Sequence, residues 1–183
     1  MSRNTAIFAW IVAIAVYLVM LAWSLPVLTA FTGGLPVFDM MPTGYSFTQA
    51  SELILALGPD GKVFYLGTQH KIDLIYPLSL GIAFSLSFRL LYRGNIARIL
   101  VALAAVAAGL DLLENSAVAE MLTAGQMGLT EDMVVFASRI TIAKSVVTSL
   151  AFLALLVGFA RSIWRRFSKH GRHFEWNLKW YRR

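Results

Sequence analysis

Apolar residues in this chain come in long runs separated by short polar stretches, and the runs exceed what a soluble core needs. No charge falls between Ala6 and Leu25, about the length that crosses the hydrocarbon of a bilayer. The apolar region of a signal peptide is usually only about 7 to 15 residues, so this run reads as a span. The whole pattern predicts an all-α, integral membrane four-helix bundle with spans at about 6–25, 73–92, 100–120 and 136–160. Between the first two, Phe47, Ala50, Leu53, Ile54 and Leu57 recur at helical spacing. Ser46 and Gln49 have capping-box spacing ahead of them. The stretch ends at Gly58-Pro59-Asp60-Gly61, a turn signal. It is too short to span, so it predicts a short amphipathic helix in the first outer loop, either packed on the bundle or acting as a lid.

Composition fixes the class. Of the 183 residues, 58% are hydrophobic and 14% charged, which places the chain among membrane proteins. The net charge of +6 is misleading. Residues 161–183 hold eight of the 16 Lys and Arg and one of the 10 acids, so the rest of the chain is slightly acidic. The basic balance therefore describes a tail and is no sign of nucleic-acid binding. The chain divides into a bundle, 1–160, and a basic aromatic cytoplasmic tail from Arg161 to Arg183. In the tail, Trp164, Phe167, Phe174, Trp176 and Trp180 interleave with Arg and Lys. That composition suits an anchor on anionic lipid of the bilayer, or a docking element for a membrane partner. Without cysteine there is no thiolate metal site and no thiol redox chemistry.

Charge also sets orientation. Arg3, the group Arg89, Arg93 and Arg98, and the tail belong on one side, and Asp39, Asp60, Glu131 and Asp132 on the other. Four spans meet this with both termini cytoplasmic, in the cell inner (plasma) membrane.

Candidate chemistry sits inside the apolar runs. Asp111, Glu114 and Asn115 stand at i, i+3 and i+4 and share a helix face. An ionisable group within a span costs roughly 2.5–3.5 kcal/mol on insertion scales, which marks a functional site by default. Counting about 1.5 Å per residue from the cytoplasmic arginines puts Asp111 within ~2 Å of the midplane, and Glu114 ~6 Å, Lys144 ~9 Å and Asp73 ~14 Å toward the outer side. Glu114 and Lys144 are therefore expected to meet, while Asp111 lacks a cation at its own depth. The candidate pocket comprises Asp73, Asp111, Glu114, Asn115, Thr141 and Lys144, with Tyr65, Gln69, Tyr76, Ser145 and Thr148 in support. Arg139 is rotated about 140° from Lys144 and stays out. His70 reads as a surface histidine. The spacing gives no metal site, no cofactor is named by any motif, and no known catalytic signature occurs.

The order Gly44-Tyr45, Leu57-Gly58 with Tyr65, Asp73 with Pro77, Asp111 with Glu114-Asn115, then Ser138, Thr141 and Lys144 resembles a widespread group of small four-span bacterial membrane proteins of uncharacterised function. The resemblance runs from Gly44 to Lys144 and excludes the tail. It implies the same bundle and a bacterial inner membrane, and it lends no activity.

The polar cluster supports several readings. It is a buried network that fixes helix packing, or a pocket that binds or moves a lipid headgroup, cation, proton or small molecule. It is alternatively the centre of an intramembrane lipid-modifying enzyme with Glu114 or Asp111 as acid or base. A further reading makes the chain an accessory or assembly subunit of a membrane complex.

Overall fold

The computed structural model describes residues 2–180, with side chains over 2–165 and at Phe167. Among the described residues the regular structure is entirely helical. Among these residues four helices are long and apolar enough to cross a membrane: Arg3–Phe31, Phe47–Leu91, Gly94–Gly128 and Glu131–Arg165. The first contains α1 (Arg3–Val19), a π turn (Met20–Ser24) and α2 (Leu25–Phe31). Pro26 follows the π turn by two residues and has no N–H to close an ordinary turn, which accounts for the wider winding there. A 3-10 turn at Phe38–Met40 lies in the following loop.

The second long helix differs from expectation. It comprises α3 (Phe47–Phe64), a π turn (Tyr65–Gln69) and α4 (His70–Leu91). Ser46 and Gln49 form the predicted capping box. Gly58, at φ 59° and ψ −174°, is the only non-helical residue in this run. Pro59 is then the first residue of a new helix, a position where its missing N–H costs nothing. The turn signal is thus a one-residue break, and the helix carrying the second predicted span starts near Pro59 in place of residue 73.

α5 (Gly94–Gly128) breaks only at Gly125, beyond the predicted end near 120. α6 (Glu131–Trp180) continues the last of these helices into the tail. The side chains of Phe174, Trp176 and Trp180, which motivate the anchor reading, lie outside the described residues.

Neighbouring long helices run antiparallel. Trp10 packs edge-on against Phe84 and donates to Ser87 at 2.9 Å, while Tyr17 lies by Tyr76 and Trp23 by Phe64. A Cβ on Gly81 of α4 would stand 3.1 Å from Ala108 of α5, so small residues set that close approach. Two apolar clusters result. One joins Leu28, Phe38, Leu53, Ile54, Leu57, Met121, Leu122 and Val134 at the end bearing the 32–46 loop; the other joins Leu80, Phe84, Phe88, Ala104, Ala151 and Leu155 toward the opposite end. A buried polar layer of Gln69, Asp73, Glu114, Asn115 and Thr141 lies between them.

The outward surface changes at the same level. On α5, Ile99, Val106 and Leu113 are exposed, then Ser116, Glu120 and Thr123. On α4, Lys71 is exposed just before Leu74, Ile75, Leu78 and Ile82.

Candidate functional site

Backbone geometry positions the first acid. Pro77 removes the N–H that would bond the carbonyl of Asp73 one turn earlier. Asn115 Nδ2 of α5 takes that place, donating to the Asp73 carbonyl at 2.7 Å. A proline and an amide on two helices therefore form one joint. The π turn contributes alignment. Tyr65, Gln69, Asp73 and Pro77 are all buried at four-residue spacing, which on a regular helix drifts about 40° per step. The wider π turn between Tyr65 and Gln69 takes up part of that drift.

The second half of the site joins α5 to α6. Lys144 Nζ contacts Glu114 Oε2 and lies 3.5 Å from Asp111 Oδ1. Glu114, 1% exposed, accepts on Oε1 from the Thr141 hydroxyl. Its Oε2 has Lys144 as sole partner among the described residues, through an ion pair rather than an aligned hydrogen bond. Asp111 does have a cation, contrary to the depth estimate, because the long lysine stem lets one ammonium serve both acids.

The first half opens on a small recess, with room for about one water-sized group, lined by Asp39, Tyr65, His70, Asp73 and Asn115 with apolar walls from α5. Gln69, fully buried, donates from Nε2 to Asp73 Oδ1 at 2.7 Å. Tyr65 donates to Asp39 Oδ2 at 2.7 Å.

Several supporting residues point elsewhere. Tyr76 packs against Tyr17 of α1 with the rings tilted. Ser145 donates back to the Thr141 carbonyl of its own helix at 2.8 Å. Thr148 shares with Asp111 a separate small recess beside Pro77 and Gly81. Arg139 is exposed, as its rotation predicts.

Three participants were not marked as site residues by the sequence. Asp39 arrives on the 3-10 turn, flanked by the buried Phe38; in sequence it is an ordinary loop acid. His70, half-buried, lines the recess. Tyr45 enters from the loop, its backbone N–H donating to Ser138 Oγ at 2.9 Å. Its buried hydroxyl lies near Thr141 without an aligned hydrogen bond. Burial pushes this phenol well above its ordinary range, with the charges of Glu114 and Asp39 acting in the same direction. Its motif with Gly44 was visible, but nothing in the spacing said where it would land.

Among the described residues, no group of three His, Cys, Asp or Glu is placed to hold a metal ion. No protein-family model, no curated protein and no solved structure matches the chain.

Proposed function

We propose, from the geometry of the site, that this chain is a multi-pass inner-membrane protein whose acid-rich layer binds a cationic group. The continuous apolar surface on the outward faces of α4, α5 and α6 supports the membrane reading, since a soluble monomer rarely exposes such a patch. The antiparallel order and the clustering of Arg3, Arg89, Arg93, Arg98 and Arg161 toward one end support four spans with both chain ends cytoplasmic.

One observation carries the binding reading. Four carboxylates, those of Asp39, Asp73, Asp111 and Glu114, share this region with the single ammonium of Lys144. Lys144 answers Asp111 and Glu114. Among the described residues Asp73, 5% exposed, has only the neutral Gln69 amide. A buried charge with no opposite partner costs several kcal/mol, and a cation in the recess removes that cost.

The two halves then have different roles. Both oxygens of Glu114 are engaged, by Thr141 and Lys144, which favours a clasp between α5 and α6 over an acid–base catalyst. The apolar clusters above and below the polar layer favour binding over an open path through the bundle.

Native mass spectrometry of the gently extracted full-length protein beside its Asp73→Asn variant tests this. A cationic or zwitterionic adduct held by the wild type and lost from the variant is expected. Identical spectra with equal melting temperatures would overturn the reading and leave the layer as scaffold.

A further inference from the structure

The recess beside Asp73 has a polarity that narrows its ligand. Asn115 must turn Nδ2 toward the Asp73 carbonyl, because a carbonyl only accepts, so Asn115 Oδ1 faces away from that bond. Asp73 uses Oδ1 for Gln69, and Asp39 uses Oδ2 for Tyr65. The remaining oxygens, Asp73 Oδ2, Asn115 Oδ1 and Asp39 Oδ1, have no donor among the described residues. Asp73 and Asn115 are each 5% exposed and line the recess. Behind them Gln69 Oε1 is buried, also without a donor. The inner wall of the recess therefore offers acceptors and negative charge.

A guest there must bring N–H groups and positive charge. A primary ammonium brings three N–H donors on one charge. A quaternary ammonium brings none and is held by aromatic faces, of which the lining offers only Tyr65 and the His70 ring.

The level of the recess supplies the other half of the ligand. It lies where the outward surface passes from Lys71 to Leu74 on α4 and from Glu120 to Leu113 on α5. Polar and apolar surface meet at that height, as they do where lipid headgroups border a protein. His70 lines the recess, and the next residue, Lys71, is exposed. Both offer donors to an anionic group tethered to the amine.

We infer that the recess takes the ammonium of phosphatidylethanolamine, against Asp73, Asp39 and Asn115, while the phosphate stays at the mouth toward His70. The inference rests on the cation-binding reading above and narrows it to one ligand class. Phosphatidylserine fits less well, because its extra carboxylate would face the acids.

Titration of the full-length protein in detergent with phosphatidylethanolamine, phosphatidylcholine, soluble phosphoethanolamine and methylammonium chloride, read by native mass spectrometry, tests it. Phosphatidylethanolamine is expected to bind at least about tenfold tighter than phosphatidylcholine, which shares the phosphate but lacks N–H donors. Asp73→Asn should weaken it by about tenfold or more. Asp39→Asn should also weaken it; that residue is half-buried on a loop, and its amide oxygen can still accept from Tyr65, so this variant guards against a folding defect in the first. Equal binding of the two phospholipids would overturn the ammonium assignment while leaving cation binding intact. Soluble phosphoethanolamine bound as tightly as the lipid would overturn the lipid source in favour of a free amine. Methylammonium bound at Asp73 with neither lipid held would overturn this inference alone; failure of all four probes would overturn the cation-binding reading with it.

Discussion

At the scale of single residues, Lys144 decides whether the polar layer holds together. Its ammonium is the one cation in contact with Asp111 and Glu114 among the described residues. Lys144→Met leaves the buried Glu114 and the partly buried Asp111 without a cation, and losing one member of a buried ion pair costs about 3–5 kcal/mol. Adding Asp111→Asn and Glu114→Gln to that variant removes the stranded charges, so the triple variant should recover most of the loss. Melting temperatures of the three proteins in one detergent check this. A triple variant no more stable than Lys144→Met would show that the lysine acts through packing of its stem. The joint at Pro77 belongs to the same scale: a missing N–H on α4 creates the need that Asn115 of α5 meets.

At the scale of elements, the 32–46 loop is the part most dependent on one residue. Gly44 adopts φ +87°, and a Cβ there would stand 2.6 Å from Ser138 Oγ and 2.9 Å from Ile142 Cδ1. The loop can lie this close to α6 only with hydrogen at that position. Gly44→Ala is expected to destabilise by about 1–3 kcal/mol and to loosen the segment that brings in Asp39 and Tyr45. Gly33→Ala is the control. It has a similar positive φ of +64° but nothing within 4 Å, so it carries the backbone strain without the clash. Limited proteolysis within the loop, compared between the two variants, separates the effects; equal cleavage would mean the contact with α6 does not hold the loop.

At the scale of the whole molecule, the proposed orientation can be read directly, because the chain has no cysteine to confuse a labelling experiment. Pro36→Cys and Thr130→Cys are expected to react with an impermeant maleimide on intact spheroplasts. Asn95→Cys, at the opposite ends of α4 and α5, should react only after permeabilisation. All three positions are exposed. Labelling of Asn95→Cys alone in intact spheroplasts would invert the topology and put the recess on the cytoplasmic side.

The sequence by itself determined the all-helical class and the four long apolar helices, because runs of uncharged apolar residues leave few other structures. It also brought out most of the buried polar layer, since Asp73, Glu114, Asn115 and Thr141 are conspicuous in an apolar context. Three things needed the tertiary structure. The start of the second long helix depended on Gly58 and Pro59 forming a one-residue break, which a turn signal alone does not distinguish from a loop. Depth counting treated side chains as points, so it missed that Lys144 reaches both Asp111 and Glu114. The split of the layer into a closed clasp and an open recess depended on Asp39 and His70, whose places are set by a loop fold and a π turn. Periodicity reports which face of a straight helix a residue occupies; where chain segments leave that geometry, only contacts across the fold decide what meets.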